Sequence, residues 1–505
     1  MDEPESTKAD VVGLRAGLLA FLREAYSALE AENIVPRPSH QPWMEVGVDY
    51  FGPTIFFRDS SNEGPEAAEN ASELLKAAYP HRFFDESKDL FDHERFLGGP
   101  DGMLLRILET AVALETTNQL EAAFELAVDE ALLCLDADTD VVEAITIASG
   151  IDVVEPIQLT IGSNTVELSA APGDDIWLAQ VTEVARLEVA NHQVFGIGPT
   201  HTSVLRARDE LDWDLTASSK WASVSDSVES AHLLVRLARR TSSRRLVHAR
   251  GSIFRTAHLG GPDLMRQPGS ITEVAVRQDI DDHAVLSQGD VQSLHGFQEC
   301  LVKTLGTDVQ RADERATSSP LYEGLSDFVN SFNFGSTTTH FPMLSRVLEA
   351  WLLPDDLRDA VVLRLRLRAC LLLESEETPA ADISAIIKRS YGLRSAVEHA
   401  AVRKQSKINA DLKAVADSDG DYHGVNERRA IENLRELARR AICARVLLAQ
   451  CGEQLWPVDD TKDIDDRFLD AGFRTAVSEE LKEQDERLKL GIFKPFGGPR
   501  PSFGR

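Results

Sequence analysis

Apolar positions recur at helical spacing near the start of the chain, where "ADVVGLRAGLLAFLREAYSALEAE" (residues 9–32) predicts an amphipathic helix. The next stretch, "EVGVDYFGPTIFFRD", is rich in β-formers and is broken by Gly52-Pro53, which predicts two strands. Helical spacing returns over residues 103–135. After it, "VEPIQLTIGSNTVELSA" sets two β-rich runs on either side of Gly162-Ser163-Asn164, the pattern of a hairpin.

The stretch "ESAHLLVRLARRTSSRRLVHARGSIFRTAHLGG" then predicts a helix, a turn at Ser242-Ser243 and a strand. Beyond Phe341 the chain reads as helical. "MLSRVLEAWLL" places Leu344, Val347, Leu348, Trp351 and Leu352 on one stripe, and Pro354 ends it. "VVLRLRLRACLLL" alternates Leu363, Leu365 and Leu367 with Arg364, Arg366 and Arg368 as a strand does, but its neighbours assign it to a helix. Residues 428–450 form another long amphipathic pattern, and the tail "FKPFGGPRPSFGR" reads as extended or disordered.

The fold class expected is therefore an α+β N-terminal region followed by an all-α C-terminal bundle, helical for the most part. The divisions expected are residues 1–215, a mixed α/β region of unassigned role that could act as a sensor; 216–335, an Arg-rich connecting region; 336–455, the helical bundle; and 456–505, a helix and a Gly/Pro-rich tail. A chain of 505 residues is too long for one ordinary core.

Composition narrows the function classes. With 43% hydrophobic and 27% charged residues the chain has the mix of a soluble globular protein. No apolar run approaches the roughly 20 residues of a membrane helix. The acidic start "MDEPESTKAD" is unlike a signal peptide, so a cytoplasmic location and no membrane partner are expected. Five scattered cysteines, Cys134, Cys300, Cys370, Cys443 and Cys451, form no CxxC pair and suggest neither a disulfide framework nor a zinc ribbon.

A net charge of -30 argues against broad coating of nucleic acid, which needs a basic surface to release counterions from phosphates. It leaves room for a local site. Arg236, Arg239, Arg240, Arg244, Arg245, Arg250 and Arg255 fall in a segment with no acid among them. They fit an RNA-facing patch or, as the favoured reading, a helix end and turn that pair with the acidic remainder.

No phosphate loop or HExxH pair is present, "FGIGPTH" (residues 195–201) lacks a dinucleotide-fold setting, and His93-Glu94 has no second ligand in register. Neither cofactor nor metal is expected. Arginine and histidine with four to six residues between them occur at Arg186 and His192, Arg277 and His283, and Arg394 and His399. Asp279, Asp281 and Asp282 within the second pair would repel a phosphate.

The third pair lies in "IIKRSYGLRSAVEHAAVRK" (residues 386–404). At about 100° per residue, Arg394, Glu398, Tyr391, Ser395 and His399 fall within an arc of roughly 140°, opposite Leu393, Ala396, Val397 and Ala400, provided that Gly392 does not break the helix. An imidazole there can move the proton of an RNA 2′-hydroxyl or of the leaving 5′-oxygen. A guanidinium can hold the phosphate and offset its growing charge. Ser395 could assist by bonding the phosphate or orienting the ring. The same residues also fit an exposed Arg394–Glu398 pair with His399 in solvent.

The stretch resembles the motif of the HEPN superfamily (higher eukaryotes and prokaryotes nucleotide-binding), most closely its Apea-like branch, whose "Y-x-LRS-x-x-x-H" signature is matched by Tyr391, Leu393, Arg394, Ser395 and His399. Leu348-Glu349-Ala350 resembles that branch's "LEA" helix, and Arg366, Arg368, Ala369, Leu371 and Leu372 resemble its "R-x-R-A-x-LL" helix. The likeness covers residues 341–450, about a fifth of the chain. Ala400 stands where the family usually has glycine.

The resemblance implies a HEPN-like bundle, a homodimer that brings two Arg-His sets together, and a metal-independent endoribonuclease of antiphage defence or toxin type. The products would be a 2′,3′-cyclic phosphate and a 5′-hydroxyl. His399 is the expected general acid or base, Arg394 the phosphate holder and Ser395 the assistant. Tyr391, Arg364 and Arg368 are candidate substrate contacts, RNA is the substrate, and an unidentified trigger acts on the N-terminal region. The alternative is an inactive dimerisation or partner-binding scaffold.

Overall fold

The computed structural model describes residues 7–31, 66–79, 103–104, 107–108, 111, 119–136, 139–170, 202–212, 218–241, 244–252, 283–315, 317–332, 337–353, 360–398, 405–416, 423–450, 454–458 and 464–495. The two strands expected over residues 45–59 lie outside them. So do the Arg186 and His192 pair, Arg277, His93-Glu94 and "FGIGPTH".

Among the described residues, helices α1 (Thr7–Ala31), α2 (Glu66–Ala78) and α3 (Leu120–Leu135) come first. The spacing of Leu14, Leu18, Phe21 and Leu22 on α1 and of Phe124, Val128 and Ala131 on α3 gives each helix one apolar stripe. The stripes pack together with Leu75 of α2 in a cluster of their own. On the outer side Arg23 holds Glu121 at 2.7 Å, and Arg15 reaches both Glu125 and Asp129.

The sheet follows. Its strands β1 (Thr139–Ser149), β3 (Ile157–Ile161), β4 (Asn164–Ala170), β5 (Thr202–Asp212) and β6 (Arg244–Ser252) lie in the order β3-β4-β5-β1-β6, every pair antiparallel. A separate parallel pair joins β2 (Ile151–Val153) to β7 (Ala284–Leu286). The expected hairpin is β3-β4, with Ile161 opposite Asn164 and the turn made by Gly162-Ser163. Gly162 sits at φ +61, the left-handed region where a side chain is strained.

Alternation does the rest in β3. Ile157, Leu159 and Ile161 point inward while Gln158 and Thr160 face out. Helix α4 (Ser218–Ala238) covers the inner face with Val224, Val228, Ala231 and Val235. The Asn164 amide donates to Ser227 Oγ at 2.8 Å and to Ser223 Oγ at 3.0 Å, which pins the hairpin turn to α4.

Nine helices complete the described chain: α5 (Val291–Arg315), α6 (Pro320–Asn330), α7 (Thr337–Leu352), α8 (Val361–Leu373), α9 (Ala380–Glu398), α10 (Gln405–Val415), α11 (His423–Gln450), α12 (Ile464–Arg467) and α13 (Ala471–Leu488). The stripe expected on α7 is buried in full, from Leu344 to Leu352. Helix α8 settles the alternating Leu/Arg run as a helix, and that has a consequence: Leu365 goes inward, whereas Leu363 and Leu367 stay about half exposed. Among the described residues no helix is long and apolar enough to cross a membrane.

The sheet and these helices share one apolar interior, from Ala144 to Ile492, distinct from the cluster of α1 to α3. The break in the interior therefore falls just ahead of β1.

Helix α11 runs through the middle of this interior. It reads as amphipathic in sequence, yet from Leu437 to Ala449 every residue is buried. A helix covered on all sides cannot leave its polar groups in water. Arg435 therefore donates to the carbonyl of Ser331, Arg439 to that of Leu237 at 2.7 Å, and Arg445 to those of Trp456 and Pro457. Trp456 also takes the Arg445 guanidinium over its ring at 4.6 Å.

Close packing between α6 and α7 gives one test of the fold. A Cβ placed on Gly324 would stand 2.7 Å from Ala350 Cβ and 3.0 Å from the Trp351 ring. Gly324→Ala is expected to destabilise the chain by about 1–3 kcal/mol through overpacking, read as a lowered urea midpoint.

Candidate functional site

Helix α9 runs unbroken through Gly392, so the arc drawn from sequence exists as one surface as far as the structure describes it. Its inner side is Ile383, Ile387, Ser390 and Leu393, all buried. Tyr391, Arg394 and Ser395 are half-buried at its border. Inner positions separated by three or four residues force the intervening ones to this border. The side chain of Glu398, and His399 and Ala400 altogether, lie outside the described residues.

Arg394 does not stand alone. Its Nη1 donates to Glu349 Oε1 on α7 and, at 3.2 Å, to the Tyr391 hydroxyl, with the guanidinium carbon 5.3 Å from the Tyr391 ring centre. Glu349 is the acid of the "LEA" segment, 45 residues upstream. Two segments far apart in the sequence thus meet in a single polar cluster. The solvent exposure of the two side chains, 20% for Arg394 and 31% for Glu349, leaves the cluster open to a ligand.

Arg364 and Arg368 are one turn apart on α8, as expected, but they converge on Asp465 of α12. Arg364 Nε donates to Asp465 Oδ2 at 2.8 Å, and Arg368 Nε to Oδ1 at 2.7 Å with Nη2 to Oδ2 at 3.0 Å. Arg368 is fully buried and also donates to the carbonyl of Leu352. Burial disfavours the Asp465 carboxylate, yet the hydrogen bonds from Arg368 and then Arg364 outweigh it and hold its carboxyl below the usual range. The structure accordingly places these two arginines in a part-buried ionic cluster that joins α8 to α12. A phosphate contact through Arg368 is inconsistent with its burial.

The Arg-rich segment follows the same pattern where it is described. Arg236 is buried with its guanidinium 4.1 Å from the Phe332 ring centre. Arg239 pairs with Asp290 at 3.0 Å, and Arg240 donates to the carbonyl of Pro495 at 2.8 Å. Of these three, Arg239 pairs with an acid as in the favoured reading, while the contacts of Arg236 and Arg240 named here are to a ring and a backbone carbonyl. The side chains of Arg244, Arg245 and Arg250, and all of Arg255, lie outside the described residues. His283, from the other Arg-His pair, sits 3.3 Å from Asp152.

Three ion-pair partners were missed in the sequence: Glu349 as the partner of Arg394, Asp465 as that of Arg364 and Arg368, and Glu436 as that of Arg439 and Arg440. On α11, Glu436 accepts from Arg439 at 2.7 and 2.8 Å and from Arg440 at 2.7 Å. Burial alone would raise its pKa, but the two guanidiniums bring it down to about 2. Burial pushes the nearby Cys443 thiol up to about 12, which makes it an inert core residue at neutral pH. A carboxylate between two i+3 and i+4 arginines was visible in "ELARR"; its burial was not.

Among the described residues no group of three His, Cys, Asp or Glu side chains is placed to hold a metal ion. Compared with protein-family models, curated proteins and solved structures, the chain matches none.

Proposed function

We infer that the chain is a metal-independent endoribonuclease of HEPN type. The observation that supports this reading most is the convergence of Glu349 with Tyr391 and Arg394 on one half-buried surface, beside Ser395. Arg394 takes the scissile phosphate, and His399 removes the 2′-hydroxyl proton or supplies one to the 5′-oxygen. The 2′-oxygen bonds to phosphorus as the P–O5′ bond breaks, leaving a 2′,3′-cyclic phosphate and a 5′-hydroxyl. One His399 cannot be base and acid in the same turnover at two places, so a homodimer that supplies a second set completes the chemistry.

Arg394 is held by a carboxylate in this arrangement, so a phosphate competes with Glu349 for the guanidinium. That competition suits an enzyme kept silent until a trigger acts on the N-terminal region, in an antiphage or toxin-like role. A second reading, an inactive partner-binding or dimerisation scaffold, is favoured by the engagement of Arg364 and Arg368 with Asp465, which removes two of the cations proposed for RNA.

Induced expression in a bacterial host separates the two. Wild type should arrest growth and fragment cellular RNA, alone or under phage challenge, while Arg394→Ala and His399→Ala should do neither at equal protein level. Protection from phage that survives both substitutions would favour the scaffold.

A further inference from the structure

The chain leaves α13 through Lys489, at φ 54, and turns again at Gly491, at φ +69, so that residues 489–495 fold back as a short strap. Leu490 and Ile492 anchor it in the interior shared by the sheet and the helices. Its backbone carbonyls are gripped from two places. At the end of α4, Arg239 donates to the carbonyls of Leu488 and Lys489 at 3.3 and 3.1 Å, and Arg240 to that of Pro495 at 2.8 Å. In the turn between α8 and α9, Ser375 Oγ donates to the carbonyl of Phe493 at 3.2 Å.

Helix α11 adds two further links. Arg439 donates both to Leu237, in the last turn of α4, and to Leu490 in the strap, and Arg440 donates to Pro495 at 3.3 Å. A guanidinium presents several donors in a fixed fork, so one side chain can tie two backbone segments together. The strap therefore connects the helix that covers the sheet with the turn that opens α9, the helix of Tyr391, Arg394 and Ser395.

We propose that residues 489–495 are a coupling strap, through which a displacement of the end of α4 is transmitted to the Ser375–Thr378 turn and the start of α9. The proposal concerns motion within the chain and does not depend on what the site cleaves. Sites are coupled only where one rigid or hydrogen-bonded element is biased by both, and that coupling is reciprocal. The strap meets the first condition by its bonds to both sides.

Amide hydrogen exchange on the full chain tests it at two reporters. The amide of Thr378, bonded to Ser375, reports the α9 side, and that of Arg239, bonded to Val235 at 2.9 Å, reports the α4 side. Arg240→Gln removes the bond from α4 to the Pro495 carbonyl while Arg239 still holds Leu488 and Lys489, and exchange at Thr378 is expected to rise about fivefold, the effect of losing one hydrogen bond. Ser375→Ala removes the bond to the Phe493 carbonyl at the other end, where Thr378 Oγ1 still reaches the Lys494 carbonyl at 3.5 Å, while leaving the Arg439–Glu436–Arg440 cluster untouched, and exchange at Arg239 should rise by a similar factor. Changes confined in each variant to the substituted side would overturn the proposal. So would a rise that extends along α11, since the path would then be the helical core.

Discussion

Glu436→Ala is expected to destabilise the fold by about 3–5 kcal/mol, the usual result of removing one partner from a buried ion cluster. The carboxylate is 8% exposed, and it faces two guanidiniums that are exposed by 3% and 0%. Without it, Arg439 and Arg440 are like charges held together in an apolar interior, with backbone carbonyls among their remaining partners. Coulomb repulsion that water would screen at a surface is far larger there. Urea unfolding followed by tryptophan fluorescence reads this directly, because Trp351 and Trp456 belong to the same interior.

The same carboxylate sets a pH dependence. Its pKa is about 2 in the folded chain and near 4.5 when exposed. A carboxyl depressed on folding stabilises the native state above its unfolded pKa and loses that contribution as protons are taken up. Stability should therefore hold steady above about pH 5 and decline as pH falls from about 4.5 toward 2, by about 3 kcal/mol from this group. In Glu436→Gln that part of the acid decline should disappear.

The second large effect concerns chemistry. For purified, triggered protein, His399→Ala should lower the RNA cleavage rate by roughly 10²–10⁴, the range for loss of a general acid or base. Arg394→Ala should cost roughly 10²–10³ through the lost charge stabilisation of the phosphate. Arg394 lies at the border of α9 and is held by Glu349 and Tyr391, and a role confined to chemistry requires that both variants melt close to wild type. A loss of activity accompanied by a matching loss of stability would assign Arg394 to the fold, through its pairing with Glu349.

Periodicity made most local elements legible. The 3.6-residue spacing of Leu344, Val347, Leu348 and Trp351 carries its own answer, because one face of that helix is buried. The β3-β4 hairpin was legible for a similar reason, with alternation on either side of a glycine turn. What periodicity does not carry is the identity of partners distant in sequence. Arg364 and Arg368 read as solvent-facing cations because nothing local shows that Asp465, about a hundred residues later, lies beside them.

Helix α11 misled in the opposite direction. Its arginines give it the profile of a surface helix, and only the surrounding carbonyls of Leu237, Ser331 and Trp456 explain how so many cations are buried. The candidate site was legible in part. Spacing placed Tyr391, Arg394 and Ser395 on one border, while the approach of Glu349 depends on how α7 packs against α9.

The central claim is that the α9 surface cleaves RNA by attack of its own 2′-hydroxyl. Its most direct test is end-group analysis of RNA incubated with the full chain, triggered and in excess chelator, beside Arg394→Ala and His399→Ala. The account predicts 2′,3′-cyclic phosphate and 5′-hydroxyl ends with wild type alone. Ends of another chemistry, or the same ends from all three proteins, would contradict it.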